Sequence, residues 1–498
     1  MKQFKRLIYF SFFSIVFLLY LFFPSHNNSG DAWNYAAVAK YGNELFSPHH
    51  LLYTATLYIL KICTGYQNIL ALGMVMNAVF AILGCIVLFQ ILKIISNNPL
   101  RALILTALTA FSFGFWRFAT ENENYIIPIF FSLLGSFFFV KSYVRQAFSA
   151  KYILLSGFFA TIACLYHQIH IFWFIGLLAG WVWIDGKTGI KRGLVFTSAF
   201  VLAPLVYFLV IIFYLHQSLS FYNITHFVFH DYYTGDAGNH LGVNNFLLGG
   251  INFIRTFFQV HGQMEVMVAN NKLWLVPGFL ALGMVSFSIL LVLKGTFKRV
   301  SNLNIVTKTH ILIFILQLAF AVYNVGNAEF MAMLPVLLVI VIAKADWLPL
   351  KSIAFTAGAL FIWNFSYGIY PNNQLHFNAD AQVTRFIIEH PKDQFIAAQP
   401  PVILNRYYYE KGNWPENVWP GPDYYQLHAP VNQLKSKIDS ALSNGGNVYT
   451  DCTGRPEITN RESMLIGKPD FFKSYNLKDT IAVFETGAGK HVIFRVKR

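Results

Sequence analysis

Asp31 closely follows the first hydrophobic run, in Ser-Gly-Asp-Ala-Trp-Asn-Tyr (29 to 35), and a Pro-His-His turn, residues 48 to 50, comes soon after it. A carboxylate, an aromatic helix and two imidazoles this close to a bilayer are more than a connector needs. Together they read as the floor of an active site. Ser29 is placed to cap a short helix whose first turn holds Asp31, where the positive end of the helix dipole favours an ionised carboxylate. Trp33, Ala36, Ala37 and Tyr41 share one face of that helix, the spacing of a segment lying in the membrane interface.

Four further groups could carry chemistry. Phe-Trp-Arg-Phe-Ala-Thr-Glu-Asn-Glu-Asn-Tyr (115 to 125) offers Glu121, Glu123 and Arg117, the last able to pair with a carboxylate or a phosphate. The alternative is structural: Thr120 with Glu123 fits a capping box for the next helix. His167 and His170, three residues apart, share a helical face, as two metal ligands or as polar residues at a hairpin tip. The long segment 216 to 272 is rich in aromatic, Asp, Asn and His residues, which would suit a sugar surface, although Asp231 and Asp236 also read as turn formers. Glu329 opens a late helix, where it serves either as a cap or as a functional acid at the membrane boundary.

The elements that must position these residues are mainly membrane helices. Of 498 residues 56% are hydrophobic and 12% charged, the composition of a polytopic membrane protein with one extra soluble domain. The first run, flanked by Lys2, Lys5 and Arg6, ends without a small-residue cleavage site and reads as an anchor. Eleven spans are predicted, at 7–23, 69–95, 101–118, 124–142, 151–166, 169–184, 193–215, 273–293, 309–325, 328–344 and 352–370. The apolar piece 51–62 is too short to cross and belongs to the first outer loop, 24–68. From about Pro371 the pattern turns soluble, with short β-like runs at 394–398, 447–449, 480–485 and 491–496 and helices near 379–390 and 430–443, a small α/β domain over 371–498. The fold class is therefore mainly α, a polytopic helical membrane domain over 1–370 followed by that domain.

With the N-terminus in the cytoplasm, loops and span ends before residue 371 divide Lys and Arg seventeen against five in favour of the inner side. Counting 51–62 as a span would invert every later loop and destroy the bias. The formal charge of +14 is thus mostly a topology signal and needs no nucleic acid. Asp31, Glu121, Glu123, Glu329 and every histidine but His310 then fall on the outer side or in its domain, in a chain expected in a bacterial inner membrane. Four cysteines give neither a disulfide framework nor metal spacing. No Walker loop, strand-borne GxGxxG or GxSxG occurs, so no nucleotide cofactor is expected and an activated substrate must arrive in the membrane.

In order and on one side, these segments resemble the GT-C superfamily of integral-membrane glycosyltransferases, near the protein O-mannosyltransferase and aminoarabinose-transferase type. Asp31 follows the first span as the family's acid does. Pro-His-His-Leu-Leu-Tyr (48 to 53) resembles its His-Pro-Pro-Leu-Tyr, Ala-Thr-Glu-Asn-Glu-Asn-Tyr (119 to 125) its second outer loop, and Asn-Ala-Glu-Phe-Met-Ala-Met-Leu-Pro (327 to 335) its late Arg-Phe/Tyr-x-x-x-Pro turn. The chain departs from the family in having Asp31-Ala32 for a paired Asp-Glu, and Ala328-Glu329 where a basic residue is common. The resemblance implies transfer of a sugar from a polyprenyl-phosphate donor lipid to a glycan, lipid or protein acceptor. It makes Asp31 the base or the anchor of a divalent metal ion, with Glu121 or Glu123 the second acid. Substrate contacts would come from His49, His50, Arg117, His167, His170, Glu329 and Lys272, and metal ligands from Asp31, His167 and His170. A lipid or solute transporter and a non-catalytic envelope scaffold are the alternatives. A transporter should place ionisable residues near mid-span and show repeated halves, and neither is found.

Overall fold

The computed structural model describes residues 2–234, 241–260, 263–294, 303–324, 327–421, 431–453, 455 and 469–498. The first helices are α1 (Lys2–Phe22), α2 (Gly30–Tyr41), α3 (Tyr53–Thr64), α4 (Ile69–Ser96), α5 (Pro99–Ala110), α6 (Phe113–Ala119), α7 (Ile126–Val144), α8 (Ala150–Tyr166) and α9 (Ile171–Trp183). Among the described residues six helices are long and apolar enough to cross a membrane, or up to seven if the bent pair α5–α6 is one span. Shorter apolar helices at Arg6–Phe22, Ala150–Tyr166, Gln168–Trp183 and Glu329–Val341 occupy other expected crossings, so length and composition alone do not establish eleven. The chain is a multi-pass membrane protein.

Two details of the chain shape the end of the bundle that holds α2 and α3. Helix α3 has twelve residues; at 1.5 Å each it reaches only ~18 Å, short of a bilayer core. The expected straight span 101–118 is instead broken, α5 and α6 meeting at 71°. The break frees the Phe111 carbonyl, which must be satisfied away from water, and the buried Asn364 amide does so, donating to Phe111 O (2.7 Å) and Phe257 O (2.7 Å).

The C-terminal sheet has the order β2-β1-β3-β5-β4, with β1 (Gln394–Ala397), β2 (Val418–Pro420), β3 (Val448–Thr450), β4 (Asn476–Thr486) and β5 (Gly489–Lys497). The first three are parallel, β5 runs antiparallel to β3, and β4 and β5 form a hairpin. Strand β2, three residues ending in Pro420, is too short to register as a period-2 pattern and is absent from the expected runs.

This domain sits directly on α2. Asn405 in the helix Pro400–Lys411 donates to Gly30 O (2.9 Å), Lys40 donates to Tyr409 O (2.7 Å), and the Arg406 guanidinium lies 4.5 Å from the Trp33 ring centre. A Cβ on Gly30 would stand 3.0 Å from Pro401 Cβ. Ala32, Trp33, Tyr35 and Ala36 through Ala39 are buried. The expected interfacial face of α2 is therefore corrected: the helix is sandwiched between the helical bundle and the C-terminal sheet-bearing region, and its small residues are what let both approach.

Candidate active site

Ser29 caps α2 as expected, its hydroxyl accepting from Ala32 N–H (2.9 Å), and the helix stops at Gly42, whose φ of 78° suits glycine. Asp31 therefore projects from a fixed first turn. It lines a cavity of about 450 Å³, within the range of small-molecule sites. His49, His50, His167 and Glu329 line the same cavity, as do Tyr125, Asp231 and Asn327. Ile169, Phe172, Phe320 and Phe330 make an apolar wall.

Asp31 is exposed to this cleft, yet protein surrounds it: burial, then the Glu329 carboxylate, raise its carboxyl above the ordinary value. Tyr125 donates its hydroxyl to Glu329 Oε2 (3.0 Å). The rings of His49 and His50 are centred 4.3 Å apart and those of His50 and His167 4.4 Å apart. Burial first, then the neighbouring imidazoles, push His50 and His167 well below the ordinary histidine range. His50 Nδ1 and His167 Nε2 are buried without a hydrogen-bond partner among the described residues, a condition that polar groups leave when a ligand arrives.

Glu121 and Glu123 do not line this cavity. They lie buried behind it, in a strand of chain tied down on every side. Arg117 Nε donates to both Glu121 oxygens (3.1 and 3.0 Å), and Ser29 Oγ donates to Glu123 Oε1. Asn77 Nδ2 donates to the carbonyls of Glu121 (2.7 Å) and Glu123 (2.6 Å), and Asn122 Nδ2 to Ala32 O (2.7 Å). Burial, then Glu329 and Asp31, raise the Glu123 carboxyl well above its ordinary value; Glu121 is also raised by burial, against the pull of Arg117. The capping-box alternative is overturned, because Thr120 Oγ1 turns back to Trp116 O and Arg117 O and the N-cap of α7 is Tyr125, which makes no side-chain cap bond.

Other expected residues divide. His170 bonds Ser132 (2.7 Å) through Nδ1 and stacks on Trp173, away from the cavity lining. Asp31, His167 and His170 consequently do not converge as metal ligands, and among the described residues no group of three His, Cys, Asp or Glu is placed to hold an ion. Lys272 is exposed at the turn before the helix Leu275–Leu293 and does not line the cavity, nor does Arg117. Asp231 is no mere turn former: its Oδ1 lies 3.3 Å from His49 Nδ1, within ion-pair distance. Asp236 lies outside the described residues. Tyr125 and Asn327 were legible only as ends of the motifs 119–125 and 327–335, since nothing local marks a tyrosine as the partner of an acid two hundred residues on.

Close packing behind Asp31 depends on Gly73, where a Cβ would stand 1.8 Å from Asn122 Oδ1. Gly73→Ala is expected to displace Asn122 and destabilise by about 1–3 kcal/mol. Thermal unfolding in detergent checks it: an unchanged midpoint would mean that loop 121–124 yields freely.

No protein-family model and no curated protein matches the sequence. Solved structures do. The archaeal oligosaccharyltransferase AglB from Archaeoglobus fulgidus, in complex with an inhibitory peptide and a dolichol-phosphate, superposes with a TM-score of 0.51 at 11% identity, over 98% of this chain and 74% of that one. The chain has a GT-C fold. Two other GT-C structures overlap less well. ArnT from Cupriavidus metallidurans bound to undecaprenyl phosphate gives 0.41 at 10% identity, over 97% of each chain. The S. cerevisiae protein O-mannosyltransferase Pmt1-Pmt2 complex bound to the sugar donor gives 0.37 at 17% identity, over 44% of this chain and 34% of that chain's length.

Proposed function

We propose that this protein transfers a glycosyl group from a polyprenyl-phosphate-linked donor to an acceptor hydroxyl on the outer face of a bacterial inner membrane, with its C-terminal domain on that face. One observation carries the reading: a carboxylate (Asp31), a hydrogen-bonded acid (Glu329) and a histidine cluster with unsatisfied nitrogens face one another across a cavity with an apolar wall. Asp31 takes the acceptor's proton as its oxygen attacks the anomeric carbon. The bond from that carbon to the phosphate oxygen breaks, and the electron pair leaves on the lipid phosphate. His50 and His167 offer N–H groups to the departing anion, and Glu329, oriented by Tyr125, holds acceptor or sugar hydroxyls. The aromatic wall receives the sugar face and the first isoprene units.

Purified full-length protein given a radiolabelled polyprenyl-phosphate sugar should release free polyprenyl phosphate in proportion to labelled acceptor, and should not consume a nucleotide sugar. Folded protein that moves label across a vesicle wall without breaking the sugar–phosphate bond would establish a transporter instead.

A further inference from the structure

At the far end of the bundle lies a second hollow, of about 480 Å³, between α4, the start of α5 and α7. Helix α7 links the two: Tyr125, its N-cap, lines the active-site cavity, and Val144, its last residue, lines this hollow. Nineteen residues at 1.5 Å each separate them by ~28 Å, the thickness of a bilayer's hydrocarbon core.

Three cations line the hollow, Lys93, Lys141 and Arg145, and no carboxylate does. Among the described residues none of the three is in an ion pair. Lys141 Nζ lies 5.4 Å from the ring centres of both Phe137 and Tyr152, contacts that hold the ammonium without neutralising it. Retention of Lys and Arg on one side of the membrane explains why cations lie at this end. It does not explain three facing one concavity, because each could extend separately into water, where mutual repulsion is weakest. Ile94, Phe137 and Val144 add an apolar wall to the same hollow, and Val144 is 49% exposed on the outer surface of the bundle.

We propose that this hollow binds the headgroup of an anionic phospholipid from the adjoining leaflet. The phosphate lies among Lys93, Lys141 and Arg145, and an acyl chain runs along Ile94, Phe137 and Val144. A cationic rim alone would accept any phosphate; the apolar wall, continuous with lipid-facing surface, selects one that carries a chain.

The test uses the full chain in nanodiscs and in detergent, with phosphatidylglycerol, phosphatidylcholine and inorganic phosphate as separate probes. Lipid retained by the protein is counted by native mass spectrometry, and binding is followed by thermal shift. The wild type should prefer phosphatidylglycerol, and Lys93→Gln, Lys141→Gln and Arg145→Gln should each weaken that preference about fivefold. The combined variant should abolish it while phosphatidylcholine retention stays unchanged. Because three charge losses could disturb insertion, a reporter after Arg498 checks topology and the single variants carry the conclusion if it shifts. Equal phosphatidylglycerol retention by wild type and the single variants would overturn the proposal. So would inorganic phosphate that stabilises the protein as well as the lipid does, which would assign the hollow to a soluble phosphate.

Discussion

Asp31→Asn should reduce sugar transfer by roughly 100-fold or more, the low end of general-base effects, with little change in thermal stability. Asn preserves the shape of the side chain and tolerates the first turn of α2. It lacks the charge that accepts the hydroxyl proton. Asp31 faces the cavity and makes no hydrogen bond that holds the fold together among the described residues, so stability and activity should separate cleanly. Glu44→Gln is the matched control. Glu44 is exposed, with φ of 51°, in the loop that follows α2, and does not line the cavity.

The pH profile offers a second reading of the same group. Burial and Glu329 raise the Asp31 carboxyl, and a base works only when deprotonated. Activity should therefore fall, as pH decreases, at a value above 3.8, the ordinary aspartate pKa. Glu329→Gln removes the neighbouring charge and should move that acid limb of kcat/KM downward. Near-normal turnover by Asp31→Asn, or an acid limb that ignores Glu329, would remove Asp31 as the base.

The largest effect on stability is expected at Arg117. Its guanidinium holds the buried Glu121 carboxylate, whose side chain is 3% exposed. Arg117→Met leaves that charge without its partner, close to the acids Glu123 and Glu329, and should cost about 3–5 kcal/mol. The midpoint of thermal unfolding in detergent, with expression level, measures it. The paired change Arg117→Met with Glu121→Leu should recover most of the stability, since replacing a whole buried ion pair by apolar groups is often neutral. It should also recover much of the activity if Glu121 only braces the loop behind Asp31, as its position outside the cavity lining implies. A paired variant that is stable but inert would return Glu121 to the catalytic group.

Sequence alone determined what is local or cumulative. Hydropathy runs placed most of the membrane helices, and the piece 51–62, read as too short to cross, is the twelve-residue helix α3. Ser29 and Gly42 delimit α2 through their own backbone and side-chain chemistry, so its ends were readable. Several of the acids and histidines near the ends of helices line one cavity.

Which of those groups meet is set by packing between distant segments. Glu329 reaches Tyr125 and the neighbourhood of Asp31 because the late turn packs over the early loops. Nothing in the Thr-Glu-Asn-Glu pattern separates a capping box from two carboxylates buried against Arg117 and Ser29. Helical spacing likewise gave α2 an apolar face but not its second neighbour, the helix Pro400–Lys411. Helical periodicity reports that a face is apolar, not what covers it. The role of a carboxylate depends on the charge and water around it, supplied here by segments up to three hundred residues away.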